Sequence, residues 1–260
     1  LVLFFDRKID REPRENGGTI AAMSYTKILV YDVETNGLVP NESMKRVKNM
    51  QMTAADIRQM PHILQLSFAV YSLVYKRVEY TYNAYIAVDD SVDISAEVTR
   101  INGIDRRICE SRGVPICAAL EAFYRSALEC DCLIAHNQAF DRGVIYSEIC
   151  RYKDRLLTCP GIGRIFDPVF RGQLCIDAFC TMLGTIDLCN IWTNSKYGGR
   201  YKKSPRLIEL YRHLFIRGNP APPNLHNAMA DVMVCLRCYL RVAHSIDMHP
   251  AEFEHALNSI

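Results

Sequence analysis

The sequence predicts one α/β domain built on a mixed sheet. Three observations carry this. β-rich runs crowd the first third of the chain, helical periodicities then alternate with short apolar strands, and neither an internal repeat nor a clear linker interrupts the chain after residue 24. The 260 residues are ample for a buried core. A composition of 49% hydrophobic and 23% charged residues excludes disordered, collagen-like and low-complexity classes. The 31 Lys and Arg against 29 Asp and Glu leave a net charge of +2, which excludes a protein that coats nucleic acid by bulk charge. Nucleic-acid affinity, where present, must come from local patches.

The elements follow in order. Residues 1–22 hold the charged, breaker-rich run Arg11–Gly18 and read as an N-terminal extension, poorly ordered, ahead of a domain spanning 23–260. Lys27–Val33 is a β-rich run that Thr35-Asn36-Gly37 ends. Pro40–Met60, with Lys45, Arg46 and Lys48, reads as an inserted segment with a short helix. Ile63–Tyr71 and Val74–Val88 read as a hairpin of two long strands. Ile94–Ile101 reads as a helix starting near Asp93, and Pro115–Glu129 as an amphipathic helix with Ile116, Ala119, Leu120 and Phe123 on one face. Cys132–Ala135 is a short buried strand and Ala139–Arg151 a helix. Arg155–Gln173 is a Pro- and Gly-rich loop, Leu174–Phe179 a strand, and Thr181–Ile191 helical. Trp192–Lys203 is a basic, aromatic loop. Arg206–Phe215 is a helix opened by Pro205, Leu225–His244 a long helix, and Pro250–Leu257 a short terminal one.

Eleven cysteines at irregular spacings, with no zinc-ribbon pairing, read as buried thiols in a reducing compartment, cytoplasm or nucleus. Cys235 and Cys238 fall on one helix. No stretch approaches the ~20 apolar residues of a membrane span, so no membrane partner is expected.

The chemistry concentrates in three motifs. Asp32-Val33-Glu34 closes the first strand, and side chains two apart on a strand project from one face. Alone this is weak, since composition gives on the order of one Asp-x-Glu per such chain, and Asp10-Arg11-Glu12 is a second. His136-Asn137-Gln138-Ala139-Phe140-Asp141 follows an apolar strand and opens a helix. Its four fixed residues should occur by chance in roughly one chain in a thousand. His226 and Asp231, five apart, open the long helix, where ordinary capping is the competing reading.

In this order the three motifs resemble the DEDDh family of 3′–5′ exonucleases, over most of residues 26–244. The resemblance supplies Asp32, Glu34, Asp141, His226 and Asp231 as the catalytic set. Glu97–Ile104 is similar to the family segment ending in His-Gly-Ile, with Asn102 where the histidine is usual. Cys180-Thr181-Met182 with Lys203–Tyr211 is similar to phage and large-DNA-virus members. The resemblance implies a ribonuclease H-like fold, a five-stranded mixed sheet with an antiparallel hairpin and flanking helices.

Four converging carboxylates repel one another, and hard oxygen ligands suit Mg²⁺ or Mn²⁺. By resemblance, Asp32, Glu34 and Asp231 hold a first ion, Asp32 bridges to a second with Asp141 near it, and His226 takes a proton from the attacking water. Thr35, Asn36, Gly37 and Leu38 are expected to cradle the terminal nucleotide, with Asn102 nearby. The competing reading of Thr35–Leu38 is a plain strand-ending turn. Phe140 is expected in the core, and His136 is read as a hydrogen-bonded structural histidine. Trp192–Arg206 carries five cations and two interleaved tyrosines without an acid, which suits a single strand or a solvated loop. Lys202 and Lys203 are its candidate phosphate contacts. The implied partners are single-stranded DNA or RNA 3′ ends and a polymerase. The alternatives are an exoribonuclease and a non-catalytic module that binds nucleic acid or a polymerase.

Overall fold

A computed structural model of the chain describes residues 25–215 and 227–258. The predicted extension over residues 1–22 lies outside the described residues. The elements run β1 (Lys27–Thr35), α1 (Met44–Lys48), α2 (Ala54–Gln59), β2 (Ile63–Ser72), β3 (Arg77–Tyr85), α3 (Ala96–Asn102), α4 (Arg106–Arg112), α5 (Ile116–Leu128), β4 (Cys132–Ala135), α6 (Gln138–Arg151), α7 (Pro168–Gln173), β5 (Asp177–Cys180), α8 (Thr181–Gly184), α9 (Ile186–Cys189), β6 (Trp192–Asn194), β7 (Arg200–Lys202), α10 (Leu207–Phe215), α11 (Ala228–His244) and α12 (Pro250–Asn258).

The main sheet has five strands in the order β3-β2-β1-β4-β5. β2 runs antiparallel to both β1 and β3, while β1, β4 and β5 are parallel. β1 is central, and its run Ile28–Tyr31 is buried on both faces, as a strand covered on both sides must be. Its odd residues Leu29, Tyr31 and Val33 pack with Phe68 under α5 and α6. Tyr31 meets Phe123 edge-on at 5.2 Å. Its even residues Ile28 and Val30, with Cys132 and Ile134 of β4, pack under α11. On α11, Val232, Leu236 and Leu240 are fully buried, each contributing about 1.5–3 kcal/mol. The helix is therefore firmly seated over that face.

The inserted segment forms two helices, where one was expected. Asp56 ties them together: it accepts from Ser43 Oγ, from the Arg46 guanidinium and from the Thr53 N–H and hydroxyl. The Arg46 bond comes first among the contacts that hold this carboxyl well below the usual range. α1 docks closely on α6 because position 143 is glycine. A Cβ there would stand 2.4 Å from Val47 Cγ1.

Other boundaries differ from expectation for local reasons. α3 is capped by Ser95, whose hydroxyl accepts from Val98 N–H at 3.3 Å. Asp93 instead offers its carbonyl to Asn36. α4, with the sequence Arg-Arg-Ile-Cys-Glu-Ser-Arg, has little apolar periodicity and buries only Cys109. The Arg155–Gln173 loop contains 3₁₀ turns at Lys153–Arg155 and Ile162–Arg164 and the helix α7, which Asp167 caps ahead of Pro168. The Thr181–Ile191 helix divides into α8 and α9. The Trp192–Lys203 loop is a small hairpin, with Trp192 paired to Lys202 and Asn194 to Arg200. Gly198 and Gly199, both at positive φ, permit its turn. All eleven cysteines are free, and Cys235 and Cys238 are buried. Among the described residues, no helix is long and apolar enough to cross a membrane.

Candidate active site

Asp32 and Glu34 share the even-numbered face of β1, so both point toward α11. Strand β2 is locally irregular here: Glu34 pairs with Gln65, but Thr35 pairs with Ile63. Such a bulge ends regular pairing and re-aims the strand end. Asp231 descends from the first turn of α11, where the positive end of the helix favours a carboxylate. Ligand oxygens of Asp32, Glu34 and Asp231 all lie within 4.8 Å of one another.

The start of α11 is fixed from two sides. The Asn227 side chain caps the helix by accepting from Met229 and Ala230 N–H. Gln65, fully buried on β2, accepts from Ala228 N–H at 3.2 Å. The Gln65 amide in turn donates to Asn83 Oδ1, as does the Ser67 hydroxyl, each at 2.8 Å. Sequence reasoning missed Gln65, Ser67 and Asn83. The available signal was two polar residues inside the apolar run Ile63–Tyr71.

Asp141 comes from the opposite layer, in the first turn of α6. Its Oδ1 accepts from Val33 N–H at 3.2 Å, where β4, which ends at Ala135, no longer flanks β1. It stands outside the tight group of three, yet its charge acts on two of them. Burial first, then Asp141, Asp231 and Glu34, push the Asp32 carboxyl well above its ordinary value. Burial followed by Asp231 and Asp141 pushes Glu34 up to about 8. Burial and Asp231 push Asp141 up to about 8 against the opposing effect of its backbone bonds. Four acids thus share one desolvated site at a cost that protons or cations must offset.

The remaining predicted residues fall around this group. Thr35 Oγ1 donates to the Gly37 carbonyl at 2.7 Å. Asn36 is engaged in the fold: its Oδ1 accepts from His62 N–H at 2.7 Å and its amide donates to the Asp93 carbonyl at 2.9 Å. Leu38, four residues after Glu34, is 85% exposed, an apolar side chain standing in solvent. Asn102 hydrogen-bonds Glu34, and its Oδ1 accepts from Ile104 N–H. His226 lies outside the described residues. Phe140 packs against the core. His136 is held by the Thr181 hydroxyl at 2.9 Å and the Pro205 carbonyl at 3.1 Å. The carbonyl only accepts, so Nε2 carries the proton and Nδ1 accepts from Thr181. Burial keeps the imidazole neutral, down at about 4. Lys202 and Lys203 are not free cations: they pair with Asp187 and Glu209, each at 2.6 Å.

A five-stranded 3-2-1-4-5 mixed sheet with acids at the carboxyl end of its central strand defines a ribonuclease H-like α/β protein. The chain belongs to the exonuclease family of RNase T type, whose family model matches residues 29–239. No curated protein matches it by sequence. Among solved structures it is similar to E. coli exonuclease I in complex with a dA16 oligonucleotide, at 16% identity and a TM-score of 0.53, covering 88% of this chain and 42% of that one. The same enzyme with a dT13 oligonucleotide gives 16% identity and a TM-score of 0.55 over 90% and 46%. Exonuclease I from Methylocaldum szegediense gives 18% and 0.54 over 88% and 42%. The chain thus spans less than half the length of these relatives, and at this identity the likeness is one of fold.

Proposed function

We propose that this chain is a metal-dependent 3′–5′ exonuclease that removes nucleoside 5′-monophosphates one at a time from single-stranded DNA. The observation that carries the reading is the convergence of Asp32, Glu34 and Asp231 within 4.8 Å. Family membership supports it, and the dA16 and dT13 complexes of similar enzymes favour DNA.

The donor set fits a hard divalent cation. It is made of carboxylate oxygens alone, and burial together with mutual repulsion raises their proton affinity, a cost that Mg²⁺ or Mn²⁺ would offset. Asp32, Glu34 and Asp231 would hold one ion. Asp32 would share a second, with Asp141 beside it. Bound divalent cations supply Lewis acidity toward the scissile phosphate and make water easier to deprotonate. His226, five residues before Asp231, would accept the proton of the attacking water and pass it to solvent. Leu38 would pack against the terminal base or sugar, with the Thr35–Gly37 backbone beside it. Asn102, through its bond to Glu34, would hold that carboxylate in orientation.

The substrate assignment is tested with 5′-labelled DNA and RNA strands of one sequence, each with a free or a blocked 3′ end. The expected result is a stepwise ladder on DNA that requires the free 3′ end. A ladder on RNA alone would move the substrate class to RNA, and internal cuts on blocked strands would contradict exonucleolytic action.

A further inference from the structure

The β6–β7 hairpin is tied to the catalytic face. β1 and β4 pair in parallel with Val30 opposite Ile134. His136 is the first residue after β4. His136 then grips the Pro205 carbonyl and Thr181, and Thr181 touches Cys235 of α11 at 3.5 Å. The hairpin is closed just before Pro205 by Lys203 N–H donating to the Ile191 carbonyl at 2.9 Å. Cys235 lies one turn after Asp231 on α11, so the base of the hairpin is tied to the helix that carries Asp231.

One face of the hairpin combines a flat ring with cations. The cross-strand pairs Trp192–Lys202 and Asn194–Arg200 put Trp192, Arg200 and Lys202 on one side, and Thr193 and Tyr201 on the other. Trp192 is 48% exposed although it is large and apolar. The Arg200 guanidinium lies 5.8 Å and the Lys202 ammonium 5.9 Å from its ring centroid. Lys202 is shared with Asp187, whereas Arg200 has no ion-pair partner among the described residues. Lys196 adds a cation near the tip, over the Tyr197 ring. A nucleic-acid strand would find a π-face for a base and positive charge for its phosphates.

We propose that the Trp192 face of this hairpin is a stacking platform for the single strand whose 3′ end occupies the acidic site. Trp192 takes a base upstream of the scissile end and Arg200 an adjoining phosphate. The inference rests on the exonuclease reading and deepens it, since it assigns a surface to the part of the strand upstream of the scissile end. It also moves the expected contacts from Lys202 and Lys203, which acids of the fold already pair, to Trp192 and Arg200.

Trp192 is the only tryptophan in the chain, so its fluorescence reports the contact directly. The experiment titrates a thymidine strand of about 16 nucleotides into the full chain in EDTA, following Trp192 emission and strand anisotropy together. It then compares Mg²⁺-dependent hydrolysis by the wild type, Trp192→Ala, Trp192→Phe and Arg200→Ala on that strand and on a dinucleotide. Expected are quenching that follows anisotropy, a KM for the long strand raised about tenfold in Trp192→Ala with kcat unchanged, partial recovery in Trp192→Phe, and no change on the dinucleotide. Arg200→Ala should flatten the salt dependence of long-strand binding by about 0.7 in log–log slope. Unquenched Trp192 at saturating anisotropy, or an unchanged long-strand KM in Trp192→Ala, would overturn the platform while leaving the exonuclease reading intact. Quenching and Trp192-dependent binding in a wild type that hydrolyses nothing would instead sink the exonuclease reading alone.

Discussion

Asp32 sits where burial, and then three other acids, raise its proton affinity, and this makes it a sensitive reporter of the site. A cation that binds only the folded cluster stabilises the fold by mass action, about 2.7 kcal/mol at a hundredfold excess over Kd. Mg²⁺ or Mn²⁺ should therefore raise the melting temperature of the wild type, and Asp32→Asn should lose most of that rise. Differential scanning fluorimetry with and without metal checks this, and an equal shift in the variant would contradict the ligand assignment. His136 provides a separate test. Its ordinary value of 6.5 falls to about 4 in the folded protein. The unfolded chain therefore takes the proton first as pH drops. The stability contributed by neutral His136 is fully present above about pH 6.5 and is lost as pH falls through about 4. The gap in melting temperature between the wild type and His136→Gln should narrow across that window. A gap independent of pH would mean that the ring is not held neutral.

At the scale of elements, the position of Asp231 depends on how α11 begins. Gln65→Ala would leave Ala228 N–H without its buried acceptor, at a cost of about 1–3 kcal/mol. It should also weaken the metal-induced stabilisation, because Asp231 is in the turn that Gln65 anchors. Urea unfolding with and without Mg²⁺ measures both. Gly143→Ala tests the docking of the inserted segment. Its methyl would press on Val47, a stiff β-branched side chain, and should cost about 1–3 kcal/mol by urea unfolding. Much of this level was legible in the sequence. β1, the β2–β3 hairpin, β4, α5, α6 and α11 announce themselves by long apolar periodicities, and the acids sit at their ends. What escaped lacks such a signal. α4 is mostly charged, and β6 and β7 are only three residues each. Lys202 and Lys203 read as free cations because Asp187 and Glu209 lie outside the basic run and meet it only in three dimensions. Gln65 is a polar residue within an apolar strand, and its partner on α11 is 163 residues away.

At the scale of the whole molecule, two apolar layers clamp a sheet whose central strand ends in carboxylates. One layer, α6, contributes Asp141 and the other, α11, contributes Asp231, so the site forms only when both layers are packed on β1. We propose that these acids are one metal-dependent hydrolytic centre. The most direct test is the initial rate of mononucleotide release from a single DNA strand as a function of Mg²⁺ concentration, for the wild type and Asp231→Ala. Expected are no release in EDTA, a rate that saturates with Mg²⁺, and a loss of at least about a thousandfold in the variant, equivalent to roughly 4 kcal/mol of transition-state stabilisation. Release that persists in EDTA, or an Asp231→Ala rate equal to that of the wild type, would contradict it.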